Sequence, residues 1–389
     1  MKLIKRRAFS RIAVILCVAI GSVLLLTGCV RGMSPIGWSG VLIADGSLYT
    51  GSKEGRLVSV DRGTNPPSVK PAEPLRAAPS GSTCSTTGGS GGTCGGSAPG
   101  VAIYGTPAMA NVAVLGDLIY IAGYNGKVFA YEAKTLQQRW VYPVEGNLAP
   151  IVSTIAVSGE MLYFGCTDSN LYALDTATGN LEWKFATGGE IWSSPVVDNN
   201  SVFISSFDKK IYAVDAATGA KKWEFSTTAT NVATPLALDG VLYVGSLDRN
   251  LYAIDETNGQ QIWKFTGGNW FWARPVALNG LIFAPNLDSK VYAINARTGA
   301  VQTQFDCGGQ VASWPVVVNN EVVVATQNGK LLGLSANSTT PRSIAAIANN
   351  VVAPLSADAG VVYINGPDNV IYGFDVITGA QTSIALQPK

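Results

Sequence analysis

Histidine is absent from all 389 residues of the chain. Its absence excludes catalytic triads with a histidine base, haem held by an axial histidine, and the usual zinc sites. Charged residues are scarce as well, at 14% of the chain, and no basic stripe follows the first eleven residues. This composition argues against a nucleic-acid-binding surface. Serine–lysine and paired-carboxylate chemistry are compatible with the composition, but no group of residues in the sequence supports either one.

Long hydrophobic runs are absent except at the N-terminus. Basic residues between Lys2 and Arg11 precede an apolar run from Ile12 to Leu26. That run is shorter than the roughly 20 residues that span a bilayer, and the pattern is typical of an export signal, which we predict at residues 1–28. Without this segment, the chain keeps 22 of its 27 Lys and Arg residues against 26 Asp and Glu, a net charge of −4.

The signal ends in a short segment, Leu26 to Cys29, that resembles the lipobox of bacterial lipoproteins. The resemblance implies cleavage before Cys29 and attachment of a diacylglycerol to its sulfur. Residues 29–35 would then be a lipidated tether. The acyl chains would hold the exported protein on the outer face of the cytoplasmic membrane, or on an outer membrane if one exists. An ordinary secretory peptide and a membrane anchor are the alternatives.

Only six cysteines are present, and no two of them are adjacent. Cys84 and Cys94 lie among serine, threonine and glycine, and in an oxidising compartment we expect them to form a local disulfide that folding does not require. A metal-binding pair is the alternative, although no further ligand lies nearby in the sequence. Cys166 is predicted to be a small buried residue, and Cys307 has no role that the sequence assigns.

A repeat of 40 residues dominates the rest of the chain. Its marker positions are Val58, Phe129, Tyr172, Tyr212, Tyr252, Tyr292, Leu332 and Tyr372, which makes eight copies. The complete copies hold four short runs of alternating apolar and polar residues, separated by glycine, asparagine and aspartate, without the 3.6-residue period of a helix. Four-stranded units of this length close radially around an axis. The sequence therefore predicts an all-β fold, an eight-bladed β-propeller of four-stranded blades, over residues 36–389.

The step between Val58 and Phe129 is longer than the others, which indicates an insertion at about residues 62–102. This segment is rich in proline, glycine, serine and threonine and has few large apolar residues. We therefore expect it to be disordered and to project from the turn after the third strand of blade 1. An inert loop and a flexible arm for a partner or for the cell wall are both compatible with this composition.

The end of several repeats carries the more specific pattern Ala-x-Asp-x-x-Thr-Gly-x-x-x-Trp. Its aspartate, glycine and tryptophan occur as Asp175, Gly179 and Trp183; Asp215, Gly219 and Trp223; and Asp255, Gly259 and Trp263. Aspartate and threonine oxygens accept local backbone N–H groups and glycine adopts positive φ, so the first part predicts a hairpin turn. The tryptophan is predicted to pack between blades, which makes the pattern structural. Later copies have Thr303 and Ser383 instead, and we expect those blades to dock less tightly.

This pattern resembles the tryptophan-docking motif of the PQQ-type β-propellers, over nearly the whole mature chain. One function that the resemblance implies is a quinone-dependent dehydrogenase with calcium and an aspartate base. Those enzymes are longer and often have two adjacent cysteines, which this chain lacks. The layout is more similar to lipid-anchored propellers of the BamB type, which are scaffolds in outer-membrane protein assembly. We therefore expect a monomeric, non-enzymatic scaffold that binds an envelope protein and needs no cofactor. The dehydrogenase and a small-ligand or glycan sensor are the alternatives.

Aspartates also recur at the 40-residue spacing, at Asp168, Asp208, Asp248 and Asp288. They fall in the predicted hairpin turns between second and third strands, where aspartate is favoured. Because successive copies lie on different blades, we expect them not to converge on a calcium or catalytic site.

Aromatic residues precede the first strand of several repeats. The first strand of a propeller blade is innermost, so these residues are predicted to form a rim at one mouth of the central channel. The predicted rim consists of Tyr104, Trp192, Trp270, Phe271, Trp272, Arg274 and Trp314. Aromatic residues with one arginine on a concave surface are typical of a binding site. Packing between blades near the axis is the alternative.

Overall fold

The computed structural model describes residues 39–75, 101–112, 115–347 and 351–387. The predicted signal peptide and tether, Cys29 and the predicted disulfide between Cys84 and Cys94 lie outside these residues. Within the described ranges, the chain forms eight antiparallel sheets, each of four strands that are consecutive in the sequence. The predicted eight-bladed, all-β propeller is therefore confirmed. No helix in these ranges has the length and hydrophobicity that crossing a bilayer requires.

The strands follow one another blade by blade. The first four blades are β1 (Leu42–Ala44), β2 (Ser47–Gly51), β3 (Leu57–Asp61) and β4 (Ser68–Pro71); β5 (Ala108–Val112), β6 (Gly116–Gly123), β7 (Lys127–Glu132) and β8 (Gln138–Tyr142); β9 (Ala156–Ser158), β10 (Met161–Gly165), β11 (Asn170–Asp175) and β12 (Leu181–Ala186); and β13 (Val196–Asp198), β14 (Ser201–Ser205), β15 (Lys210–Asp215) and β16 (Lys221–Ser226). The last four blades are β17 (Leu236–Leu238), β18 (Val241–Gly245), β19 (Asn250–Asp255) and β20 (Gln261–Thr266); β21 (Val276–Leu278), β22 (Leu281–Pro285), β23 (Lys290–Asn295) and β24 (Val301–Asp306); β25 (Val316–Val318), β26 (Glu321–Ala325), β27 (Lys330–Leu334) and β28 (Arg342–Ala346); and β29 (Ser356–Asp358), β30 (Val361–Asn365), β31 (Val370–Asp375) and β32 (Gln381–Ala385).

Burial explains the sequences of these strands. In blade 4 the second strand, β14, is buried along its whole length, and its Val202 pairs with Val214 of β15. Neighbouring blades cover the middle strands on both faces, so these strands are nearly continuous apolar runs. The outer strand β16 alternates instead, with Trp223 buried and Lys222 and Glu224 exposed. Its apolar side chains therefore point towards a neighbouring blade and its charged ones towards solvent.

The strand directions divide the propeller into two faces. Each blade is an antiparallel meander, so the turn between its second and third strands lies at the same end as the connectors between blades. We call this end the connector face. Backbone bonds join the two kinds of loop there: the Phe207 N–H donates to the Glu190 carbonyl at 2.9 Å, and the Leu287 N–H donates to the Trp270 carbonyl at 3.0 Å. The remaining turns lie on the opposite face.

Blade 1 corrects one predicted boundary. The sequence predicts an insertion over about residues 62–102 that begins directly after the third strand. Residues 68–71 instead form the fourth strand, β4, which pairs with β3, and Ala72 and Leu75 are buried beside it. The composition hid this strand because it is short and has prolines before and within it, and proline is rare inside strands.

Candidate functional site at the axial mouth

Seven connectors converge on the axis at the connector face and line a small cavity of about 70 Å³. In each connector a proline, or an equivalent residue, leads into the first strand of the blade. Most connectors line the cavity with the residue directly before this position and with the residue three positions before it, as Ser194 and Trp192 do before Pro195. The lining residues, which we name the axial mouth, are Tyr104, Val152, Thr154, Trp192, Ser194, Val232, Thr234, Trp272, Ala312, Trp314, Val352 and Pro354. They precede blades 2 to 8, so the site exists only when the ring of blades is assembled.

Four residues of the axial mouth are aromatic, and all four belong to the predicted rim. Tyr104, Trp192, Trp272 and Trp314 precede four different blades, and the structure brings them together around one cavity. Each side chain is half-buried. A half-buried ring keeps a surface that another molecule can contact, whereas a ring fully enclosed between blades does not.

Two of these rings are positioned by contacts with other side chains of the propeller. The rings of Trp192 and Phe207 lie 4.9 Å apart between centroids, and the Trp192 indole N–H donates to Glu190 Oε2 at 2.8 Å. The rings of Tyr104 and Tyr124 lie 5.2 Å apart. Because these contacts are internal to the propeller, the exposed ring surfaces are preformed, which lowers the entropic cost of binding a partner.

A series of hydroxyl groups links the connectors that precede blades 2 to 5. The Thr106 N–H donates to Thr154 Oγ1 at 3.2 Å, the Thr154 N–H to Ser194 Oγ at 2.9 Å, and the Ser194 N–H to Thr234 Oγ1 at 2.9 Å. Each bond joins one connector to the next. The sequence analysis missed these hydroxyls, although serine or threonine recurs at this position in successive repeats.

The series ends at blade 6, where the equivalent residue is an arginine that does not itself line the cavity. Arg274 occupies the position of the hydroxyl residue, and an arginine side chain has no acceptor that could continue the series. Its Nε is buried and has no hydrogen-bond partner among the described residues. Burial lowers the pKa of the guanidinium, and no neighbouring acid opposes that effect. The described residues therefore supply no counter-charge to this partly buried cation, whereas buried charges are normally paired.

Besides Arg274, two predicted rim residues do not line the cavity. Phe271 is 1% exposed and packs in the core, with ring centroids 6.3 Å from Phe265 and 6.2 Å from Tyr292. Its assignment to the rim is therefore wrong. Phe271 and Trp272 are consecutive, yet Phe271 packs among the rings of the core whereas Trp272 lines the cavity. Trp270 is half-buried and does not belong to the axial mouth.

The residues of the repeated Asp-x-x-Thr-Gly-x-x-x-Trp pattern meet at the junctions between blades. Trp183 of blade 3 lies over Gly219 of blade 4, and its indole N–H donates to the Ala216 carbonyl at 3.1 Å. A Cβ at Gly219 would lie 2.8 Å from the indole ring. The same arrangement joins Trp140 to Gly179, Trp223 to Gly259 and Trp263 to Gly299. Tryptophan on one blade thus requires glycine on the next.

The aspartate of the pattern shapes its turn. Asp175 Oδ1 accepts hydrogen bonds from the backbone N–H and the hydroxyl of Thr178, both at 2.7 Å, and Gly179 has a φ of +72°. In the equivalent turn of blade 4, the hydroxyl of Thr218 lowers the pKa of Asp215. These turns lie on the face opposite the connectors, so their aspartates are remote from the axial mouth.

Tyrosines reinforce the junctions in a way that the sequence analysis missed. Tyr163 of β10 donates to the Ala216 carbonyl at 3.0 Å, so this oxygen accepts from both Tyr163 and Trp183. Blade 5 repeats the arrangement, where Tyr243 and Trp263 share the Ala296 carbonyl. The signal in the sequence is an aromatic residue at the 40-residue spacing on the second strand, which the alternation of apolar and polar residues does not distinguish from other core positions.

The four predicted turn aspartates bond to tyrosines within their own blades. The pairs are Tyr172 with Asp168, Tyr212 with Asp208, Tyr252 with Asp248, and Tyr292 with Asp288, at 2.5 to 2.7 Å. Asp208 also accepts the N–H of Gly188, a connector residue, at 2.8 Å. These acids thus fasten turns and connectors to one another. The described residues contain no group of three or more acidic or cysteine side chains arranged to hold a metal ion.

A buried acid pair lies on the opposite face, between blades 4 and 5. Glu256 is 4% exposed, and its Oε1 has no hydrogen-bond partner among the described residues. Its Oε2 accepts from the Asn199 side chain at 3.4 Å. Burial, and then the nearby Asp198 carboxylate, raises the pKa of Glu256 to about 7. The sequence analysis missed this pair because its members come from different blades.

Two described cysteines are buried free thiols, Cys166 and Cys307. Burial raises the pKa of each thiol to about 12. Reactive cysteines are thiolates with lowered pKa values, so these two residues act as small apolar side chains.

Comparison with known proteins agrees with this architecture. A family model described as outer membrane protein assembly factor BamB matches residues 34–264, and a model of the β-propeller domain of glucose, ethanol and alcohol dehydrogenases matches residues 226–382. BamB from Moraxella catarrhalis, a solved structure, has a TM-score of 0.62 at 16% identity, covering 72% of this chain and 87% of that chain. The computationally designed Ika8 protein has a TM-score of 0.68 at 14% identity, covering 92% of this chain and 98% of its own. No curated protein matches the chain.

At these identities, the likeness to solved structures shows the fold alone. The first family model, by contrast, spans more than half of the chain and includes the three full copies of the tryptophan-docking pattern, from Asp175 to Trp263. The chain therefore belongs to the family of PQQ-type repeat propellers that this model describes, the family of outer membrane protein assembly factor BamB.

Proposed function

We propose that this protein is a non-catalytic, lipid-anchored propeller that binds an extended segment of another cell-envelope protein at the axial mouth. The observation that carries the proposal is the convergence of Tyr104, Trp192, Trp272 and Trp314, each half-buried, around one cavity. Binding energy at protein interfaces concentrates in tryptophan, tyrosine and arginine residues. Membership of the BamB family and the predicted lipid on Cys29 support a place in the envelope.

The size of the cavity favours a protein partner over a small ligand. Pockets for small molecules have volumes of roughly 300–1,000 Å³, whereas the axial mouth has about 70 Å³. That volume admits one side chain, and the surrounding rings offer a shallow surface to its neighbours. A glycan or metabolite sensor would need a deeper enclosure than these described residues form.

The residues of the axial mouth also do not fit a quinone cofactor. Such a cofactor is far larger than the cavity, and the described residues hold no cluster of acids that would ligate calcium beside it. The match of residues 226–382 to the dehydrogenase propeller domain nevertheless makes this the second candidate function. Purified protein with added quinone and calcium tests it: reduction of a dye with an alcohol or a sugar as substrate would overturn the non-catalytic proposal.

Site-specific crosslinking in the native host tests the proposed partner. The full-length protein would carry a photo-crosslinking amino acid in place of Trp272. The matched control is Ile377, which is 77% exposed in a turn on the opposite face. We expect light to join position 272, and not position 377, to a defined segment of one envelope protein.

A synthetic peptide of the crosslinked segment then measures affinity. Loss of a central tryptophan costs about 2 kcal/mol or more, so the peptide should bind Trp272→Ala at least about 30-fold more weakly than wild type. An absence of crosslinks at position 272, or equal crosslinking at both positions, would contradict the proposal.

A further inference from the structure

We infer that Arg274, which lies beside the axial mouth, forms a subsite that binds a carboxylate of the partner segment. The carboxylate would belong to an acidic side chain or to the C-terminus of that segment. This inference rests on the proposed function, because it names the chemical group of the partner segment that binds beside the axial mouth.

The register of the repeat places Arg274 beside the cavity, although Arg274 is not itself one of the lining residues. Thr234 and Trp314 occupy the equivalent position in the connectors on either side, and both line the cavity. Trp272, two residues earlier on the same connector, lines it as well. The backbone of Arg274 therefore lies in the ring of connectors that surrounds the axis. Trp272 of the same connector and Trp314 of the next one are its aromatic neighbours in this ring.

The surroundings of Arg274 supply no anion. Its Nε is buried without a hydrogen-bond partner among the described residues, and none of the described acids lies close enough to affect its ionisation. Burial of a charge is costly unless the charge is paired. A cation with a buried, unpartnered Nε beside the cavity is therefore complementary to an anion that arrives with a ligand.

The end of the hydroxyl series at this connector is compatible with the same ligand. In the preceding connectors, a backbone N–H donates to the hydroxyl of the next blade, as the Ser194 N–H does to Thr234. The next N–H in this series belongs to Thr234, and the side chain that follows is Arg274, which cannot accept a hydrogen bond. A carboxylate held by the guanidinium would supply an acceptor at this point. Carboxylate geometry also matches the two parallel N–H groups of a guanidinium.

Anion titration of the full-length protein in detergent micelles tests the subsite without knowledge of the partner. Acetate replaces chloride at constant ionic strength, and the tryptophan fluorescence and Tm are followed. We expect saturable changes in both, because Trp272 and Trp314 lie in the same ring and because a ligand of the folded state raises its stability. Arg274→Met should bind acetate at least about tenfold more weakly, since one charge-assisted pair is lost.

Arg274→Thr is the matched control, because it restores the residue type of the neighbouring connectors. It should fold with a Tm at least equal to that of wild type and should not respond to acetate. An unresponsive wild type, or an equal response in wild type and Arg274→Met, would overturn the subsite. A stronger response to inorganic phosphate than to acetate would overturn the assignment to a carboxylate.

The crosslinked segment separates failure of the subsite from failure of the proposed function. If the segment binds wild type and Arg274→Met equally well, the subsite is wrong and the proposed function stands. If acetate binds at Arg274 but position 272 captures no segment, the subsite stands and the proposed function is wrong. Where both stand, replacing the acidic group of the peptide by an amide should weaken its binding to wild type and leave its binding to Arg274→Met unchanged.

Discussion

Tryptophans serve two purposes in this chain, and their neighbours decide which. Trp223 is 8% exposed, lies over Gly259 of the next blade and donates to the Glu256 carbonyl at 2.8 Å. Trp272 is half-buried beside the axial cavity and faces connectors instead of a glycine turn. The first arrangement holds blades together, and the second leaves aromatic surface at a concave site.

Two variants separate these purposes. Trp223→Ala should lower the free energy of unfolding by roughly 3–5 kcal/mol, because it removes a large buried side chain. Trp272→Ala combined with Arg274→Ala should weaken binding of the partner segment more than it lowers stability, since interface energy concentrates in such residues. A thermal melt and one binding assay on each variant make the comparison. If the axial double variant melts as early as Trp223→Ala, these side chains are packing residues and the binding proposal is wrong.

Glu256 predicts a pH dependence of stability. Its pKa rises from 4.5 to about 7 in the folded protein because of burial and the Asp198 carboxylate. The folded state therefore holds a proton between these two pH values that the unfolded state has released. Stability contributed by this group is complete below pH 4.5 and is lost as the pH rises towards 7.

Glu256→Gln should remove that loss, because an amide does not ionise. We expect the variant to be more stable than wild type at pH 8 by about 3 kcal/mol and to show a flatter profile between pH 5 and 7. Asp198→Asn is the companion variant, and it should shift the fall in stability to lower pH. Urea unfolding across this range measures both. Parallel profiles for wild type and Glu256→Gln would show that Glu256 does not titrate in this range.

At the scale of the element, glycine is favoured in the docking turn for two reasons. Gly219 has a φ of +73°, which favours a residue without a side chain, and it also leaves room for the indole of Trp183. Gly240, in a turn between first and second strands, has a similar φ of +76° but has open space where a Cβ would lie. The two glycines thus share a backbone conformation and differ in their neighbours.

Alanine at each position separates the backbone cost from the docking cost. Gly240→Ala should lower the free energy of unfolding by about 1–2 kcal/mol, the cost of a left-handed residue with a side chain. Gly219→Ala should lower it by clearly more, because its Cβ would lie 2.8 Å from the Trp183 ring. Equal losses in urea unfolding would show that the indole moves aside without cost and that the pairing of tryptophan with glycine is not required.

At the scale of the whole molecule, the junctions between blades are unequal. Trp263 docks on Gly299, but the next outer strand has Thr303, and the corresponding turn has Thr339 in place of glycine. Blade 7 uses an arginine instead: Arg342 pairs with Glu321 and donates to the Val376 carbonyl at 3.0 Å.

The ring closes without a shared sheet, because each blade consists of four consecutive strands. An apolar cluster that includes Leu48, Val60 and Ile371 joins blades 8 and 1, and polar side chains reinforce it. Arg62 pairs with Asp358 at 2.8 Å and bonds to the Tyr363 hydroxyl at 2.9 Å, and Asn365 donates to the Gly51 carbonyl at 3.0 Å. Because Ser383 occupies the tryptophan position of blade 8 and partly exposed ion pairs contribute little to stability, we expect this junction to be weaker than those built on tryptophan.

Native-state hydrogen exchange should reveal this gradient. In a repeat architecture, stability is approximately the sum of units and the interfaces between them, so blades with weaker interfaces open first. Amides of β25 to β32 should therefore open at a lower free energy than amides of β13 to β20, which are flanked by tryptophan junctions. One common opening free energy for all the blades would show that the ring unfolds as a single cooperative unit and would contradict the gradient.

Much of this architecture can be read from the sequence because each repeat follows local rules. Strands alternate, turns need glycine or aspartate, and the docking tryptophan recurs at a constant distance from its own turn, as Trp183 does from Asp175. Local rules did not reveal β4, whose prolines hide a strand that pairs with β3. They also did not separate Phe271 from Trp272, since both are aromatic. Only the folded connector shows that Phe271 lies in the core and that Trp272 lines the cavity.

By itself, the sequence determined the repeat, the eight four-stranded blades and the motif that joins them, because these depend on residues close together in the chain. The tertiary structure alone decided which distant residues meet. Four aromatic side chains converge because the ring closes, Arg274 lacks a counter-charge among the described residues because no acid lies near it, and Glu256 shares a site with Asp198 because two blades pack together. Charge, burial and room for a partner depend on neighbours in space, and the order of residues along the chain does not specify those neighbours.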